Sequence, residues 1–142
     1  MKRTVLVVDD EQNMQTVMRM ILEDAGHVVI TASSGEEAVK HIQDPNLDVV
    51  LSDMKMPGMD GMSLLRRVRA EQPELEVIVL TAYGSVDTAV EAMKLGAFDY
   101  LQKPFEVDEL LVVARRALEH QRLRTQHRYL LSERDEEFNH YG

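Results

Sequence analysis

Polar side chains follow apolar runs at four places in the sequence: Asp9-Asp10 after Val5–Val8, Asp53 after Val49–Leu51, Thr81 after Val77–Leu80 and, after the weaker run Phe98–Leu101, Lys103. Parallel strands would deliver such residues to one edge of a sheet, where ligands of open α/β sheets bind. Three carboxylates gathered there repel one another: a pair about 5 Å apart costs about 3 kcal/mol at an effective dielectric near 20. A cation must offset that repulsion. Mg²⁺ suits the position, because it takes one or two carboxylates, a carbonyl, waters and a phosphate oxygen. Lys103 adds a positive charge suited to a phosphoryl oxygen, and Thr81 adds a hydroxyl donor. An aspartate nucleophile, a divalent metal, a lysine and a hydroxyl are together the parts of phosphoryl transfer onto a carboxylate. Asp53 is the natural nucleophile, standing alone at the end of its run before the turn-rich stretch 54–61, with Asp9 and Asp10 as metal carboxylates. Singly these signals are ambiguous, since an Asp pair also caps helices and Lys-Pro also marks turns. Their specificity lies in falling after separate runs of one regular alternation.

The elements that would carry these residues alternate in type. Stretches of helical periodicity separate the apolar runs, including Val28–Ile30, which carries none of the four groups. The first helical stretch places Met14, Val17, Met18, Ile21, Leu22 and Ala25 on one stripe and stops at Gly26. Ser34-Gly35-Glu36-Glu37 reads as a capping box opening a second. Leu64, Leu65 and Val68 mark a third; Val86, Ala89, Val90 and Met93 a fourth, with Ser85 as its cap and Gly96 as its stop. Leu110, Leu111, Ala114, Ala117 and Leu118 mark a fifth. Five strand-helix units with nearly all-apolar strands predict an α/β fold: a doubly wound, five-stranded parallel sheet with helices on both faces.

At 142 residues the chain accommodates one domain of about 120 residues plus an extension. With 25 acidic and 16 basic residues, its formal charge of -9 disfavours direct nucleic-acid binding by this chain. It has no cysteine, hence no disulfide, thiolate metal site or cysteine nucleophile. The N-terminal apolar run is too short for a signal-peptide core and nothing approaches a membrane span, so a cytoplasmic location is expected. His27, His41, His120, His127 and His140 fall outside the strand-end group and read as surface residues.

Four motifs tie these observations together: Val-Val-Asp-Asp-Glu (7–11), Leu-Ser-Asp-Met-Lys-Met-Pro-Gly-Met-Asp-Gly (51–61), Leu-Thr-Ala-Tyr-Gly (80–84) and Phe-Asp-Tyr-Leu-Gln-Lys-Pro-Phe (98–105). On them the chain resembles a response-regulator receiver domain over about residues 3–120. The resemblance implies a flavodoxin-like strand order of 2-1-3-4-5 and phosphorylation of Asp53 by a partner sensor histidine kinase. It implies Mg²⁺ held by Asp10 directly, by Asp9 chiefly through water, by Asp53 and by the Lys55 backbone carbonyl. Thr81 and Lys103 would bind phosphoryl oxygens, Lys103-Pro104 would be a cis peptide, and Tyr100 would swing inward as Thr81 moves toward the phosphate. Lys55 and Tyr83, each two residues beyond a site residue, are placed to shield an acyl phosphate from water.

The wording from Thr81 to Leu101 resembles the NtrC-type subfamily, whose receivers control sigma-54-dependent activators. That likeness implies a homodimer through the fourth helix, fifth strand, fifth helix and linker helix, with ATPase and DNA-binding domains in a longer protein. Residues 1–120 would be the receiver and 121–142 a helical linker, ending in a lead-in (Phe138–Gly142) to an ATPase domain. The tail is either a short coiled coil, with Leu111 and Leu118 seven apart and Leu123 and Leu130 likewise, or a solvated helix. Two other readings compete: a stand-alone receiver acting by partner binding, and a Mg²⁺-dependent aspartyl phosphatase. The phosphatase would need a second acid two residues beyond the nucleophile, where this chain has Lys55.

Overall fold

The computed structural model describes residues 2–141, with side chains through Thr125. Five parallel strands, β1 (Thr4–Val8), β2 (Val28–Ala32), β3 (Leu47–Asp53), β4 (Glu76–Ala82) and β5 (Asp99–Lys103), form one sheet in the order β2-β1-β3-β4-β5. The helices α1 (Gln12–Asp24), α2 (Gly35–His41), α3 (Gly61–Glu71), α4 (Val86–Lys94) and α5 (Val107–Tyr141) follow the strands in turn. The expected doubly wound α/β fold and strand order are present.

Strand alternation sorts the core into two layers. Leu6 and Val8 of β1, Val50 of β3, and Val77 and Val79 of β4 meet Ala38, Leu64, Leu65 and Val68 on one face. Val5 and Val7, Val49 and Leu51, and Ile78 and Leu80 meet Met18, Leu22, Leu110, Ala114 and Leu118 on the other. Both faces of the central strands are therefore buried, which is why those strands read as continuous apolar runs rather than alternating ones.

Two helix stripes differ from expectation. On α1 the buried row is Gln15, Met18 and Leu22, while Val17 is about half exposed. On α4 only Ala89 and Ala92 are buried, leaving Val86, Val90 and Met93 outside. In both helices the sheet-facing row includes polar or small residues, and some of the expected apolar ones lie beside it.

The caps are mixed. Ser34 Oγ accepts the Glu37 N–H at 3.1 Å as the capping box requires, but the Glu37 carboxylate accepts the Ser33 N–H at 2.9 Å, one residue earlier than in the standard box. Ser34→Ala is expected to cost about 1 kcal/mol, read as a lowered melting midpoint with unchanged secondary structure. Ser85 occupies the cap position of α4 without a side-chain capping bond. Gly26 and Gly96 end α1 and α4 with φ of +96° and +103°, as their expected role as stops requires.

Helix α5 continues past the sheet without a break. Leu118 is buried in the core and Leu111 packs against it, so both belong to the body, whereas Leu123 is half exposed. Leu130 and the Phe138–Gly142 lead-in lie outside the residues with described side chains. Among the described residues no helix is long and apolar enough to cross a membrane.

Candidate functional site

Strand register assembles the site. In the β1–β3 pair Val8 lies opposite Ser52, so the next residues, Asp9 and Asp53, emerge side by side at the C-terminal edge. In the β4–β5 pair Ala82 lies opposite Lys103, which brings the lysine to the same edge. Carboxylate oxygens of Asp9, Asp10 and Asp53 fall within 4.8 Å of one another. The Lys103 ammonium donates to Asp9 Oδ2 at 2.9 Å and to Asp53 Oδ2 at 3.2 Å. Asp9 is fully buried, and its second oxygen accepts the Glu11 N–H at 2.9 Å. Asp10 is exposed. The cap position of α1 is Glu11, which makes no side-chain capping bond, so the acidic pair does not serve as the helix cap.

These residues fit a divalent cation. Three carboxylates against one ammonium leave a formal charge of -2, which one such ion cancels, and every donor is a hard oxygen. The electrostatics carry the same strain. Burial, the largest influence, raises the Asp53 pKa above the ordinary carboxylate value, and the Asp9 charge adds to this while Lys103 opposes it. For Lys103, burial is again the largest single influence and works against its charge, but its bonds to Asp9 and Asp53 together outweigh it and hold the pKa high.

A pH dependence follows from Asp53. Its folded-state pKa lies above the unfolded one, so ionising it disfavours the metal-free fold, and the penalty grows as pH rises from the ordinary carboxylate range through the raised value. In chelator, Asp53→Asn is therefore expected to melt above the native chain at neutral pH, with the gap closing below the carboxylate range. Equal melting of the two chains at neutral pH would contradict this.

Thr81 is buried to 1% exposure, and its hydroxyl has no hydrogen-bond partner among the described residues. Such a group normally costs about 1–3 kcal/mol, which an incoming oxygen ligand at this edge would relieve. It lines a cavity of about 660 Å³ together with Asp10, Asp53, Lys103, Lys55 and Tyr83. Lys55 and Tyr83 are exposed at its mouth, and the Lys55 N–H points toward Asp53 Oδ1 at 3.4 Å. The Lys103-Pro104 peptide is cis. Tyr100, on the edge strand β5, is 40% exposed and does not line this cavity.

Several residues that hold this geometry carry little signal in the sequence. Buried Gln15 donates through Nε2 to the Asp9 carbonyl at 2.7 Å and to Ser33 Oγ at 3.0 Å, bolting the acidic loop to the end of β2. Its spacing of three and seven from Met18 and Leu22 is the only hint. Glu36 of α2 accepts the Met59 N–H at 2.7 Å, a bond that is the main reason its pKa lies low, and so ties down the loop after Asp53. Gly58, with φ +76°, leaves room for that carboxylate: a Cβ there would stand 2.6 Å from Glu36 Oε1. Gly61, read as turn punctuation, is the first residue of α3 and lies directly against the Asp53 backbone. His120 is half exposed but hydrogen-bonds Glu76, far from the acidic edge.

Known proteins share this fold. Residues 5–115 match the response regulator receiver domain model. The chain is 42% identical over 116 residues to the DNA-binding transcriptional regulator NtrC of Escherichia coli K12, covering 82% of this chain and 25% of that protein. It is 40% identical to the regulatory protein AtoC of the same organism, covering 89% and 27%. It thus spans about a quarter of the length of these relatives. Among solved structures, NtrX from Brucella abortus superposes with a TM-score of 0.85 at 37% identity, over 92% of this chain and 30% of that one. A receiver domain protein from Clostridium thermocellum gives 0.81 at 38%, over 85% and 98%. With its acidic triad and lysine at the strand edge, the chain belongs to the response regulator receiver domain family, among its NtrC-like members.

Proposed function

We propose that the chain is the phosphoacceptor of a two-component pathway and that Asp53 receives a phosphoryl group from a sensor histidine kinase. The observation that carries this is the Lys103 ammonium bridging Asp9 and Asp53 beside the unpartnered Thr81 hydroxyl. An Asp53 carboxylate oxygen attacks phosphorus; the new P–O bond forms as the donor's P–N bond breaks, and the imidazole nitrogen keeps the electron pair. No general base is needed, because the nucleophile is already ionised when it reacts. Lys103 and Thr81 then take the equatorial oxygens, offsetting charge that develops on them. Asp10, Asp53, the Lys55 carbonyl and, through water, Asp9 would hold Mg²⁺. When bound, the ion supplies further charge stabilisation for the transferring group.

Thr81 drawn toward the phosphoryl group leaves space that Tyr100 enters, and the face formed by α4, β5 and α5 changes its partner. Val86, Val90, Met93 and Tyr100 are already exposed there, which supports a homodimer through this face and the linker helix. The NtrC likeness supports a longer cytoplasmic regulator in which residues 1–120 are the receiver and 121–142 link to an ATPase and a DNA-binding domain under sigma-54-dependent control. Lys55 at the position where aspartyl phosphatases carry an acid disfavours turnover chemistry, so the chain is a regulatory acceptor rather than an enzyme.

A small acyl phosphate with Mg²⁺ tests the reading. Intact-mass spectrometry is expected to show one added phosphoryl group, mapped to Asp53, that chelator prevents. Addition at another residue, or addition unaffected by chelator, would sink the assignment.

A further inference from the structure

At the opposite end of the sheet lies a charged cluster that the phosphoryl chemistry does not use. Glu76 opens β4 and is 2% exposed, an unusual place for a carboxylate. It accepts a hydrogen bond from His120 Nδ1 at 2.8 Å and another from Arg124 Nη1. Both donors come from α5, four residues apart and therefore on one helix face. Arg124 also donates through Nη2 to the Pro73 carbonyl at 2.7 Å, in the turn before β4. Arg69 of α3 reaches that same carbonyl from the other side at 3.3 Å, and the Glu76 charge partly offsets the burial that lowers its pKa. The His120 ring rests 5.2 Å from the Phe98 ring. From β1's end of the sheet, Arg3 donates to the Leu118 carbonyl at 3.2 Å and to Gln121 Oε1, while its Nε pairs with Asp48 at 3.2 Å.

Apolar packing of α5 against the sheet ends at Leu118; Leu123 is half exposed. The next turn and a half of helix is docked by polar contacts together with the His120–Phe98 ring contact. We propose that Glu76 is a socket for the extension of α5: His120 and Arg124 plug into it and fix the direction in which the helix leaves the receiver body. Whatever follows the helix inherits that direction, so the clamp is the output joint of the domain. A buried carboxylate makes a discriminating joint, because it is tolerated only while its partners are seated. The proposal is independent of Asp53 chemistry and stands or falls apart from it.

Amide hydrogen exchange on the whole chain tests it, using Glu76→Gln, Arg124→Gln and the double variant. Native amides of residues 119–125 are expected to be protected, and each single variant should speed their exchange roughly tenfold or more while β1 and β3 stay protected. The double variant should fall short of the product of the two single effects, since both break the shared Glu76–Arg124 contact. Should Glu76→Gln unfold the body, Arg124→Gln decides alone, because Arg124 is partly exposed and lies outside the apolar core. Unprotected native amides at 119–125, unchanged exchange in Arg124→Gln, or single effects that multiply in the double variant would each overturn the proposal.

Discussion

Asp53→Asn is expected to abolish phosphoryl uptake while leaving a folded domain. The amide keeps the shape of the side chain but carries no charge and is a poor nucleophile, and the two carboxylates nearest Asp53 are poorly placed to take over. Asp9 is fully buried with both oxygens engaged, one by Lys103 and one by the Glu11 N–H. Asp10 is exposed on the loop before α1 and, among the described residues, makes no bond to Lys103, which pairs with Asp9 and Asp53. The loss should exceed about a thousandfold in rate, on the order of 4 kcal/mol of barrier, measured as phosphoryl incorporation from a small donor. Because the raised Asp53 pKa makes its charge a burden on the metal-free fold, the inactive variant should be the more stable one, which separates lost chemistry from lost structure. Asp10→Asn is expected to act differently. It leaves the nucleophile in place and weakens the cation site, so its defect should shrink as Mg²⁺ is raised. An Asp53→Asn chain that still took up the group at an appreciable rate would remove Asp53 from the nucleophile's role.

Strand positions and the acidic edge are legible in the sequence for one physical reason. A strand buried on both faces needs apolar residues at every position, so the point where polarity resumes marks its end, and parallel strands end together. Asp9, Asp53 and Thr81 are visible in this way before any coordinates, and Lys103, at the end of the half-buried edge strand β5, less so. Helix faces are less legible, because a stripe of apolar residues such as Val86, Val90 and Met93 looks the same whether it covers the sheet or stands free. Gln15 and Glu76 were out of reach for a related reason. A buried polar residue is recognisable only through its partners, and those are the Asp9 backbone carbonyl and Ser33, 18 residues away, for Gln15, and His120 and Arg124, 44 and 48 residues away, for Glu76.

Gly61 tests how rigidly the nucleophile is held. It is the first residue of α3, where alanine is favoured over glycine by up to about 1 kcal/mol on helix propensity alone. Its N–H donates to the Met54 carbonyl at 3.0 Å, and the Met54 N–H donates in turn to Leu80 of β4 at 3.1 Å. A Cβ at position 61 would stand 2.3 Å from the Asp53 carbonyl oxygen and 2.7 Å from Met54 Cα. Both are backbone atoms, so no rotamer change relieves the clash; either α3 backs away from the sheet, carrying buried Met62, Leu64 and Leu65, or the end of β3 moves. Gly61→Ala is therefore expected to destabilise the domain by about 1–3 kcal/mol, opposite in sign to propensity. It should also slow phosphoryl uptake by up to about a hundredfold, because displacing a reacting group by about 1 Å has that effect. Gly26→Ala is the matching control. Its φ of +96° makes alanine strained, yet nothing lies within 4 Å of the added carbon, and it follows α1 at the other end of the domain. It should lower the melting midpoint without altering uptake per folded molecule. If Gly61→Ala instead melted at or above the native chain with full uptake, the junction between β3 and α3 would be soft, and the position of Asp53 would have to be set by its ligands rather than by the fold.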